Sequence, residues 1–306
     1  MNSPISLNGK HVGVIGGSRY FGPRLIEELR EAGAAVTVIN RGSTPPPPGV
    51  TRLLADRDDE AALRAALADR RFDVVVDQVC YTPRQARIAA RVFAGRTRRY
   101  VMTSTVEVYA ERGRPGGAPL AEAVVDLSSQ PVDLELPWDE DEFLGTHYGE
   151  GKRQAEAVLA AQQAFDFAAV RTAHVLGGAD FTGRLAHYVE RIDAGLSVLV
   201  HARPQPASFI HDAEIARFLA WTAAADFTGP VNAASHGALD VRELCAVLGG
   251  RGGDGVRYEI TPAGEPASPF SFDRAYAVDT ARAERLGFTF SRTADWLPAV
   301  AKEARA

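Results

Sequence analysis

The chain has 306 residues, of which 46% are hydrophobic and 24% are charged. This length fits one large α/β domain or a nucleotide-binding domain with a smaller lobe, and the composition is that of a globular protein. The formal net charge of −5 argues against a general affinity for nucleic acid, which is typical of strongly basic domains. No apolar run reaches the ~18 residues of a membrane span, so no membrane association is expected.

The two cysteines, Cys80 and Cys245, lie in apolar or mixed segments without metal-ligand spacing. We therefore expect reduced, buried thiols and no metal site. Residues 1–10 lack the basic and apolar regions of a secretory signal. Together these features predict a cytoplasmic protein.

Strand-like and helix-like segments alternate over residues 1–175. The predicted strands are Val12–Ile15, Ala35–Ile39, Val50–Leu54, Val74–Val79, Tyr100–Thr103 and Phe167–Arg171. The predicted helices are Phe21–Glu31, Glu60–Leu67, Gln85–Phe93 and Tyr148–Gln163, and Pro45–Pro48 is expected to form a stiff surface loop. The alternation predicts an α/β fold with a Rossmann-type, doubly wound parallel sheet, which forms a dinucleotide-binding domain.

The regular alternation ends after the fifth predicted strand. Residues 111–146 are rich in Gly, Pro and acidic residues, and so long an irregular stretch is more often functional than idle. Further helix-like segments follow at Arg184–Ala194, Ala213–Ala225 and Val241–Leu248. We expect residues 176–306 to form mostly a smaller substrate-binding lobe that is interleaved with the sheet.

A glycine-rich segment lies between the first predicted strand and the first predicted helix. It consists of Gly16, Gly17, Ser18, Arg19, Tyr20, Phe21 and Gly22. Glycines let the backbone approach a pyrophosphate, and the helix N-terminus offers free N–H groups to it. A glycine cluster alone is also compatible with a simple tight turn, but the surrounding βαβ unit favours a dinucleotide-binding loop.

The ends of the second and third strands provide further candidate cofactor contacts. An acid after strand two favours NAD through the ribose 2′-hydroxyl, whereas a nearby Arg accommodates the 2′-phosphate of NADP. Asn40 at this position is neutral, while Arg41 and Arg19 are basic, so the sequence leaves NAD and NADP open. Asp56 is a candidate acceptor for the adenine amino group. Exposed loop charges are the alternative interpretation of Arg41 and Asp56.

Tyr148 and Lys152 are four residues apart on a predicted helix and therefore share one face. A nearby ammonium group is expected to lower the pKa of a phenol, which can then exchange a proton with an alcohol or ketone. The spacing alone occurs in many helices. Its place after the fifth strand of a dinucleotide-binding fold favours a catalytic pair.

These features together resemble the extended and atypical short-chain dehydrogenase/reductase superfamily, in its NAD-dependent epimerase/dehydratase group. The similarity extends over residues 11–250. The segments that carry it are Gly16-Gly17…Gly22, Thr103-Ser104-Thr105-Val106-Glu107-Val108-Tyr109, Tyr148-Gly149-Glu150-Gly151-Lys152 and Phe209-Ile210-His211.

The resemblance implies a catalytic triad of Thr105, Tyr148 and Lys152, with NAD as the cofactor. In that scheme Lys152 also holds the nicotinamide ribose, Thr105 hydrogen-bonds the reacting oxygen, and Tyr148 takes the proton. The resemblance also implies a homodimer that pairs the helices Gln85–Phe93 and Tyr148–Gln163 with their copies.

Two departures from the family pattern bear on activity and substrate. Arg19 replaces the central glycine of the loop, as in the atypical branch that includes inactive regulators and RNA-binding relatives, but the intact Tyr/Lys pair favours an enzyme. Ala207 and Ser208 stand where nucleotide-sugar members carry an Arg that holds the diphosphate and an Asp. His174 stands where an Asn is common, and Arg203 is a candidate substitute for the missing Arg.

The segment Thr105-Val106-Glu107 resembles the Thr-Asp-Glu of sugar 4,6-dehydratases. Glu107 matches the base of that acid pair, but Val106 does not match the acid. A packing role for Val106 and a solvent-facing Glu107 are the alternative. Tyr81, His174, Arg203 and His211 are the predicted substrate contacts.

These observations favour an NAD(P)-dependent lyase or isomerase that transiently oxidises a sugar hydroxyl, with dehydration slightly favoured over epimerisation. The expected substrate is a nucleoside or small glycoside rather than a nucleotide diphosphate sugar. An NADPH-dependent reductase or dehydrogenase of a small ketone or alcohol, and a non-catalytic dinucleotide-sensing or RNA-binding relative, are the alternatives.

Overall fold

A parallel sheet with helices on both faces forms the core of the protein. The computed structural model describes residues 5–43, 45, 47–178, 180–249, 255–262 and 265–305. The strands are β1 (His11–Ile15), β2 (Ala35–Asn40), β3 (Thr51–Leu54), β4 (Phe72–Asp77), β5 (Thr97–Thr105), β6 (Asp166–Thr172), β7 (His174–Leu176), β8 (Val198–Val200), β9 (Phe209–His211), β10 (Gly229–Ala233) and β11 (Tyr258–Ile260).

The helices lie between these strands in chain order. They are α1 (Gly22–Glu31), α2 (Glu60–Leu67), α3 (Pro83–Phe93), α4 (Asp141–Thr146), α5 (Tyr148–Ala161), α6 (Arg184–Asp193), α7 (Asp212–Ala224), α8 (Val241–Leu248), α9 (Ala281–Arg285) and α10 (Thr293–Glu303), with short 3₁₀ helices at Val106–Tyr109 and Glu122–Val124. None of the helices in the described part of the chain is long and apolar enough to cross a membrane.

The central sheet has seven parallel strands in the order β10-β6-β5-β4-β1-β2-β3. The chain runs outward from β1 to β3, returns to β4 and then runs outward on the other side. This reversal between β1 and β4 opens a crevice at the carboxyl ends of the strands, where ligands bind in doubly wound folds. The predicted fold class is confirmed.

Each face of the sheet is covered by its own apolar cluster. On one face, Leu25 of α1 and Ile215 of α7 belong to the same buried cluster. On the other face, Leu63 of α2, Val92 of α3 and Leu159 of α5 are buried together. The strands between them are apolar on both sides, which is the pattern of a parallel sheet covered by helices.

Several element boundaries differ from the sequence prediction for local reasons. Strand β4 ends at Asp77, two residues earlier than predicted, because the Asp77 Oδ1 accepts a hydrogen bond from the Val79 backbone N–H at 2.9 Å and turns the chain. Helix α3 begins at Pro83, since Thr82 caps it by accepting from the Gln85 N–H. Pro46, within the predicted proline loop, lies outside the described residues.

The sequence did not predict the elements β7, β8, β9, β10, β11, α4, α9 and α10. Strand β10 is the most important of them, because it returns the chain to the edge of the central sheet beside β6. This path agrees with a C-terminal part that is interleaved with the sheet. The domain division at residue 175 stays a prediction.

Part of the irregular region lies across the N-terminal ends of α3 and α5. The Arg84 Nε on α3 donates to the Leu134 carbonyl at 2.6 Å, and the Gln154 Oε1 on α5 accepts from the Asp133 N–H at 2.8 Å. Trp138 is buried beside Gly151 of α5. The region therefore has a fixed position next to the first turn of α5, where Tyr148 lies.

Candidate active site

The glycine loop forms a close turn between β1 and α1. Gly16 and Gly17 have φ angles of 88° and 77°, which side-chain-bearing residues rarely adopt. A Cβ on Gly22 would lie 2.6 Å from the Gly17 carbonyl carbon, so the first turn of α1 can approach the loop only with glycine there. The result is a concave backbone surface at a helix N-terminus, which fits a dinucleotide pyrophosphate.

Arg19, Tyr20 and Phe21, in the second half of the loop, have different surroundings. Tyr20, not Arg19, adopts a left-handed conformation, with φ of 57°. The Tyr20 hydroxyl donates to the Val175 carbonyl at 2.5 Å and connects the loop to the middle of β7. Phe21 is buried in the core, so only its backbone is available to a cofactor. Arg19 is exposed.

The predicted adenosine end lies where β2 and β3 finish. The Asn40 Nδ2 donates to the Ser18 Oγ at 2.9 Å, and the Asn40 Oδ1 accepts from the Gly42 N–H at 3.0 Å. Asp56 is half-buried and accepts from the Asp58 N–H at 3.0 Å, which leaves carboxylate capacity free for another donor. Arg41 is exposed. Gly16, Gly17, Ser18, Asn40, Arg41 and Asp56 therefore line one continuous edge.

Gln78 joins this edge, although the sequence analysis did not single it out. It follows β4, and its side chain lies near the positions where Cβ atoms of Gly16 and Gly17 would be, at 3.7 Å. Its Nε2 is buried and has no hydrogen-bond partner within the described residues. A buried amide with an unpartnered donor next to the loop fits a cofactor oxygen.

The three predicted catalytic residues meet at the ends of β5 and α5. Thr105 is the last residue of β5, and Tyr148 begins α5. The buried Lys152 Nζ donates to the Thr103 carbonyl at 2.8 Å. The same Nζ lies 4.6 Å from the centroid of the Tyr81 ring and 5.8 Å from that of the Tyr148 ring. Strand β5 and helix α5 thus bring the triad and Tyr81 together.

The electrostatics of the pair differ from the sequence expectation. Burial raises the pKa of Tyr148, with an opposing effect of a hydrogen bond with Thr105. Burial also lowers the pKa of Lys152 to about 8, against the opposing effects of Cys80 and the Asp77 carboxylate. The expected lowering of the Tyr148 pKa is therefore wrong for this structure. The reason is that the ammonium group lies against the Thr103 carbonyl and the Tyr81 ring face, while burial dominates at the phenol.

Glu107 lies in the same pocket, two residues after Thr105. Its Oε2 accepts a hydrogen bond from the Tyr276 hydroxyl at 3.3 Å. Burial raises the pKa of Glu107, against the opposing effects of this hydrogen bond and of Arg184 and Arg274. A carboxyl group of raised pKa is suited to exchange a proton near neutral pH. The solvent-facing alternative for Glu107 does not describe this half-buried side chain.

The backbone of α5 comes unusually close to Glu107. A Cβ on Gly149 would lie 2.2 Å from the Glu107 carbonyl oxygen, so only glycine permits this approach. Val106, by contrast, is buried in the core cluster and packs as its alternative interpretation predicted. The pocket therefore holds one carboxyl group where the dehydratases that the segment resembles have an acid pair.

His174 is buried at the start of β7 in a group of aromatic side chains. Its ring stacks on Phe272 with centroids 5.3 Å apart and an interplanar angle of 14°. Phe209, Phe270 and Tyr276 surround it, and its Nε2 has no partner within the described residues. Burial lowers the pKa of His174 to about 3, so the ring is neutral. The available Nε2 fits a role as a neutral hydrogen-bonding group.

Two of the predicted substrate contacts lie apart from this pocket. Arg203 is exposed, and its carbonyl accepts from Gln205. The His211 ring lies 5.4 Å from Trp296, and its Nε2 is 3.6 Å from the Asp212 Oδ1, at the N-terminus of α7. No contact in the described part of the chain joins either residue to Glu107 or Tyr148.

Arg184 and Tyr276 belong to the pocket, but the sequence analysis missed both. Arg184 begins α6, and its guanidinium lies 5.0 Å above the centroid of the Phe270 ring, where its charge acts on Glu107, Tyr148 and His174. The helix itself was predicted, so a cation at its first residue was an available signal. Tyr276 follows no periodic pattern, and nothing in the sequence marked it.

Beneath the pocket lies a buried ionic network that was also missed. Arg57, which follows β3, pairs with the Asp77 carboxylate at the end of β4. The Tyr100 hydroxyl donates to the same Asp77 Oδ2 at 2.5 Å. The Asp77 carboxylate raises the pKa of Lys152, and the Arg57 guanidinium lowers it. The network therefore influences the charge of Lys152 through two opposing effects.

A doubly wound sheet with a glycine loop and a Tyr–Lys pair at its carboxyl edge defines a dinucleotide-dependent class of enzymes. The model of the NAD dependent epimerase/dehydratase family matches residues 12–234. The chain therefore belongs to that family, and NAD is confirmed as the cofactor that the family uses. A search of curated proteins finds no match.

Solved structures of similar fold cover nearly the whole chain. The Bordetella bronchiseptica enzyme WbmG in complex with NAD is 17% identical, with 97% of this chain and 93% of that chain covered and a TM-score of 0.71. UDP-N-acetylglucosamine 4-epimerase from Bacillus cereus is 16% identical, with 97% and 100% covered and a TM-score of 0.72. UDP-glucose 4-epimerase from Thermotoga maritima with UDP-glucose is 17% identical, with 96% and 98% covered and a TM-score of 0.70. At these identities the likeness supports the fold alone.

Proposed function

We propose that this protein is a redox-neutral, sugar-modifying enzyme that transiently oxidises a hydroxyl group and then eliminates a neighbouring one. The observation that carries the proposal is the position of Glu107, a half-buried carboxyl of raised pKa in the same pocket as Thr105, Tyr148 and Lys152. A triad alone serves oxidation and reduction. A carboxyl group beside it adds a base for a C–H bond.

In the proposed reaction the residues act on three substrate atoms: the oxygen of the hydroxyl that is oxidised, the carbon next to the new carbonyl, and the oxygen of the hydroxyl that leaves. Thr105 and Tyr148 hold the hydroxyl that reacts, and Tyr148 accepts its proton in the ionised, phenolate form. NAD, when bound, would accept the hydride from the carbon that carries this hydroxyl and would return it to the unsaturated product. Glu107 then removes the hydrogen on the carbon next to the new carbonyl. The electron pair of that C–H bond forms a C=C bond as the hydroxyl on the following carbon departs. That hydroxyl takes up a proton from Glu107 or Tyr148, each of which gained one in the earlier steps, and leaves as water.

The residues that would hold NAD are those of the glycine-loop edge. Gly16, Gly17 and Gly22 provide the backbone surface for the pyrophosphate, and the Gln78 amide supplies a free donor beside it. Lys152, which already donates to the Thr103 carbonyl, would hold the nicotinamide ribose as well. The backbone fit and the unpartnered donor support this assignment.

The proposed substrate is a nucleoside or a small glycoside without a diphosphate. Ala207 and Ser208 are buried, and the Ser208 Oγ accepts from the Val278 N–H, so neither position presents a polar group to the pocket. Arg203 is exposed outside it. A diphosphate needs bidentate cationic partners to offset its desolvation, and these positions do not supply them.

The cations that do line the pocket already have partners. The Arg274 Nη1 donates to the Ala110 carbonyl at 2.6 Å, and its Nε pairs with Asp273. The Arg184 Nε donates to the Thr182 Oγ1 at 3.0 Å, and its guanidinium covers Phe270. This arrangement favours neutral, hydroxyl-rich ligands over a concentrated negative charge.

Epimerisation is the second candidate function, and Val106 favours it. Its side chain is buried in the core, so it cannot protonate a departing hydroxyl as an acid in that position would. Glu107 or Tyr148 would then have to deliver that proton. If neither does, the carbon from which Glu107 removed the proton is protonated again instead, and its configuration inverts when that proton arrives from the face opposite Glu107.

We also propose that the protein forms a homodimer through α3 and α5. Residues 133–138 cover the N-terminal ends of both helices, but Ile88 and Val158, further along them, remain only half-buried. These two apolar side chains support an interface in the C-terminal halves, with the covering segment at its rim.

The experiment is a turnover panel in deuterated water. The enzyme is incubated with NAD and with matched nucleosides, small glycosides and nucleotide diphosphate sugars, and the products are analysed by mass spectrometry. Dehydration predicts a loss of water from a nucleoside or glycoside together with incorporation of solvent deuterium. Incorporation of deuterium without elimination of water would indicate an epimerase. Net reduction of a ketone by NADPH would indicate a reductase. Turnover confined to nucleotide diphosphate sugars would contradict the proposed substrate.

A further inference from the structure

We propose that Tyr109 and Asn232 are positioning residues for Glu107. A buried network of hydrogen bonds around Arg171 connects them and holds Glu107 against the hydroxyl of Tyr276. The inference rests on the proposed function, in which Glu107 is the base, and it adds how the fold places that base. Both positioning residues act through Glu107, and neither contacts the substrate in this scheme.

Arg171 lies at the centre of this network and is fully buried on β6. Its Nε donates to both carboxylate oxygens of Glu156 at 3.1 Å, and its Nη2 donates to the Glu156 Oε2 at 2.6 Å. Its Nη1 donates to the Tyr109 hydroxyl and to the Glu122 carbonyl, each at 2.9 Å. A buried guanidinium with these partners has one defined orientation, so it fixes the elements that it contacts relative to one another.

Glu156 anchors the helix of the Tyr–Lys pair to this arginine. It is buried four residues after Lys152 on α5, so the two side chains share one helical face. Its Oε1 also accepts a hydrogen bond from the hydroxyl of Ser104, which directly precedes the last residue of β5. These contacts of Glu156 with Arg171 and Ser104 hold α5 in place without Tyr109.

Tyr109 connects the same arginine to the turn that carries Glu107. It is the last residue of the 3₁₀ helix Val106–Tyr109, and its side chain is buried. Its hydroxyl accepts from Arg171 and donates to the Asn232 Oδ1 at 2.7 Å. The hydroxyl thus uses its single donor and one acceptor site inside the protein, and its removal would disconnect the turn from the network.

Asn232 connects the network to the segment that carries Tyr276. It is fully buried, and its Nδ2 donates to the Leu120 carbonyl and to the Asp279 carbonyl, each at 2.9 Å. Leu120 is itself joined to this segment, because its N–H donates to the Ala277 carbonyl at 2.8 Å and its carbonyl accepts from the Asp279 N–H at 3.0 Å. Asn232 therefore fixes the chain just after Tyr276.

The two connections meet again at Glu107. The Tyr276 hydroxyl donates to the Glu107 Oε2 at 3.3 Å, which is longer than is usual for such a bond. Glu107 comes shortly before Tyr109 in the chain, and Tyr276 comes shortly before Asp279. Since Asn232 holds both segments, a small displacement of either would move the carboxyl group. A base must lie within hydrogen-bond reach of the proton that it removes, so its placement affects the rate of proton removal.

The test separates oxidation from proton removal in Tyr109→Phe, which keeps the ring and deletes only the hydroxyl. The substrate is the nucleoside or small glycoside of highest turnover in the deuterated-water panel. We expect solvent deuterium incorporation to fall by ~10–10²-fold, since a misplacement of about 1 Å can cost as much as ~10²-fold in rate. Formation of reduced nicotinamide in a single turnover should stay close to wild type, because the contacts between Arg171 and Glu156 remain. Asn232→Ala, which removes the connection to Asp279, should give the same split.

Thr222→Val is the matched control. It deletes a buried hydroxyl that donates to the Phe218 carbonyl at 2.9 Å on α7, outside this network. It should lower the melting temperature but leave the ratio of deuterium incorporation to nicotinamide reduction unchanged. Backbone hydrogen exchange, measured without substrate, should accelerate at residues 106–110 and 276–279 together in Tyr109→Phe, and at neither in Thr222→Val.

Equal losses of deuterium incorporation and nicotinamide reduction in Tyr109→Phe would indicate a general structural role and overturn the proposal. Unchanged deuterium incorporation, or faster hydrogen exchange in only one of the two segments, would overturn it as well. Glu107→Gln is measured in parallel. Loss of incorporation in Glu107→Gln with wild-type behaviour of Tyr109→Phe overturns the positioning role alone. Wild-type incorporation in Glu107→Gln, or no turnover of any panel compound by the wild type, overturns both this role and the proposed function.

Discussion

The two ends of the cofactor edge use charge in opposite ways. At the adenosine end, Arg19 and Arg41 are exposed and unpaired, so their charges remain hydrated until a ligand arrives. At the catalytic end, Lys152 is buried and Glu107 is half-buried, and burial shifts the pKa of each. The first arrangement leaves the two charges accessible to solvent and is expected to have little effect on stability. The second prepares groups for proton transfer, and each of them depends on its neighbours.

This difference predicts the largest effect at the phenol. Tyr148→Phe removes the proton-transfer group and keeps the ring that packs beside Tyr81, so turnover should fall by ~10²–10⁴-fold with the fold intact. Tyr258→Phe on β11 is the matched control and should keep wild-type turnover. A loss of less than about tenfold, which corresponds to about 1.4 kcal/mol, would remove Tyr148 from its assigned role.

The buried lysine should leave a signature in the pH dependence of stability. Burial lowers the pKa of Lys152 to about 8 from its ordinary value of 10.5, so between these two pH values the unfolded chain binds more protons than the folded one. The unfolding free energy of the wild type should therefore rise with pH across this range relative to Lys152→Met, by about 3 kcal/mol in total.

Denaturant unfolding of both proteins at several pH values between 8 and 10.5 measures this difference. Lys302→Met changes an exposed lysine in the last helix and should show no such dependence. A constant difference between wild type and Lys152→Met would mean that Lys152 keeps an ordinary pKa in the folded protein.

A smaller effect on substrate binding should distinguish Arg184, which lies in the pocket, from Arg203, which the sequence predicted as a substrate contact. Arg184→Ala removes the cation above Phe270 and should weaken substrate binding about tenfold, because it contacts the pocket wall and influences Glu107. Arg203→Ala should leave the KM unchanged, since that side chain is exposed elsewhere. The reverse order of effects on the KM would contradict the description of the pocket.

The smallest expected change is a twofold change in mass. Light scattering at micromolar concentration should give the mass of a dimer, and Ile88→Glu should give that of a monomer by placing a charge in the apolar part of the interface. Arg87→Glu, on the exposed face of the same helix, serves as the control for charge alone. A monomeric wild type would contradict the proposed assembly.

The nucleotide-binding half could be predicted from local patterns, and the pocket only in part. Strand β4 appears in the sequence as a continuous apolar run, and helix α2 appears as an amphipathic repeat. Both signals lie within a few consecutive residues, so the sequence alone predicted both elements. Tyr276 reaches Glu107 from a position 169 residues further along, and no local signal encodes such a contact. The three-residue strands β7 and β9 pair with each other and are too short to show a period.

The same limit applies to individual residues. Arg203 was a reasonable candidate by charge alone, but exposure depends on the tertiary fold. The pKa of Tyr148 was expected to fall because of its spacing from Lys152. That spacing fixes which face of the helix both residues share, whereas the depth of burial and the direction of the ammonium group depend on the Thr103 carbonyl and the Tyr81 ring.

The central claim is that Glu107 is the base that removes a carbon-bound proton from an oxidised sugar. The measurement that tests it most directly compares solvent deuterium incorporation by the wild type and by Glu107→Gln, with Glu111→Gln, an exposed neighbour, as the control. We predict that Glu107→Gln still oxidises the substrate, seen as reduced nicotinamide absorbance in a single turnover, but incorporates no deuterium and releases no water. Deuterium incorporation at the wild-type rate in Glu107→Gln would contradict the claim.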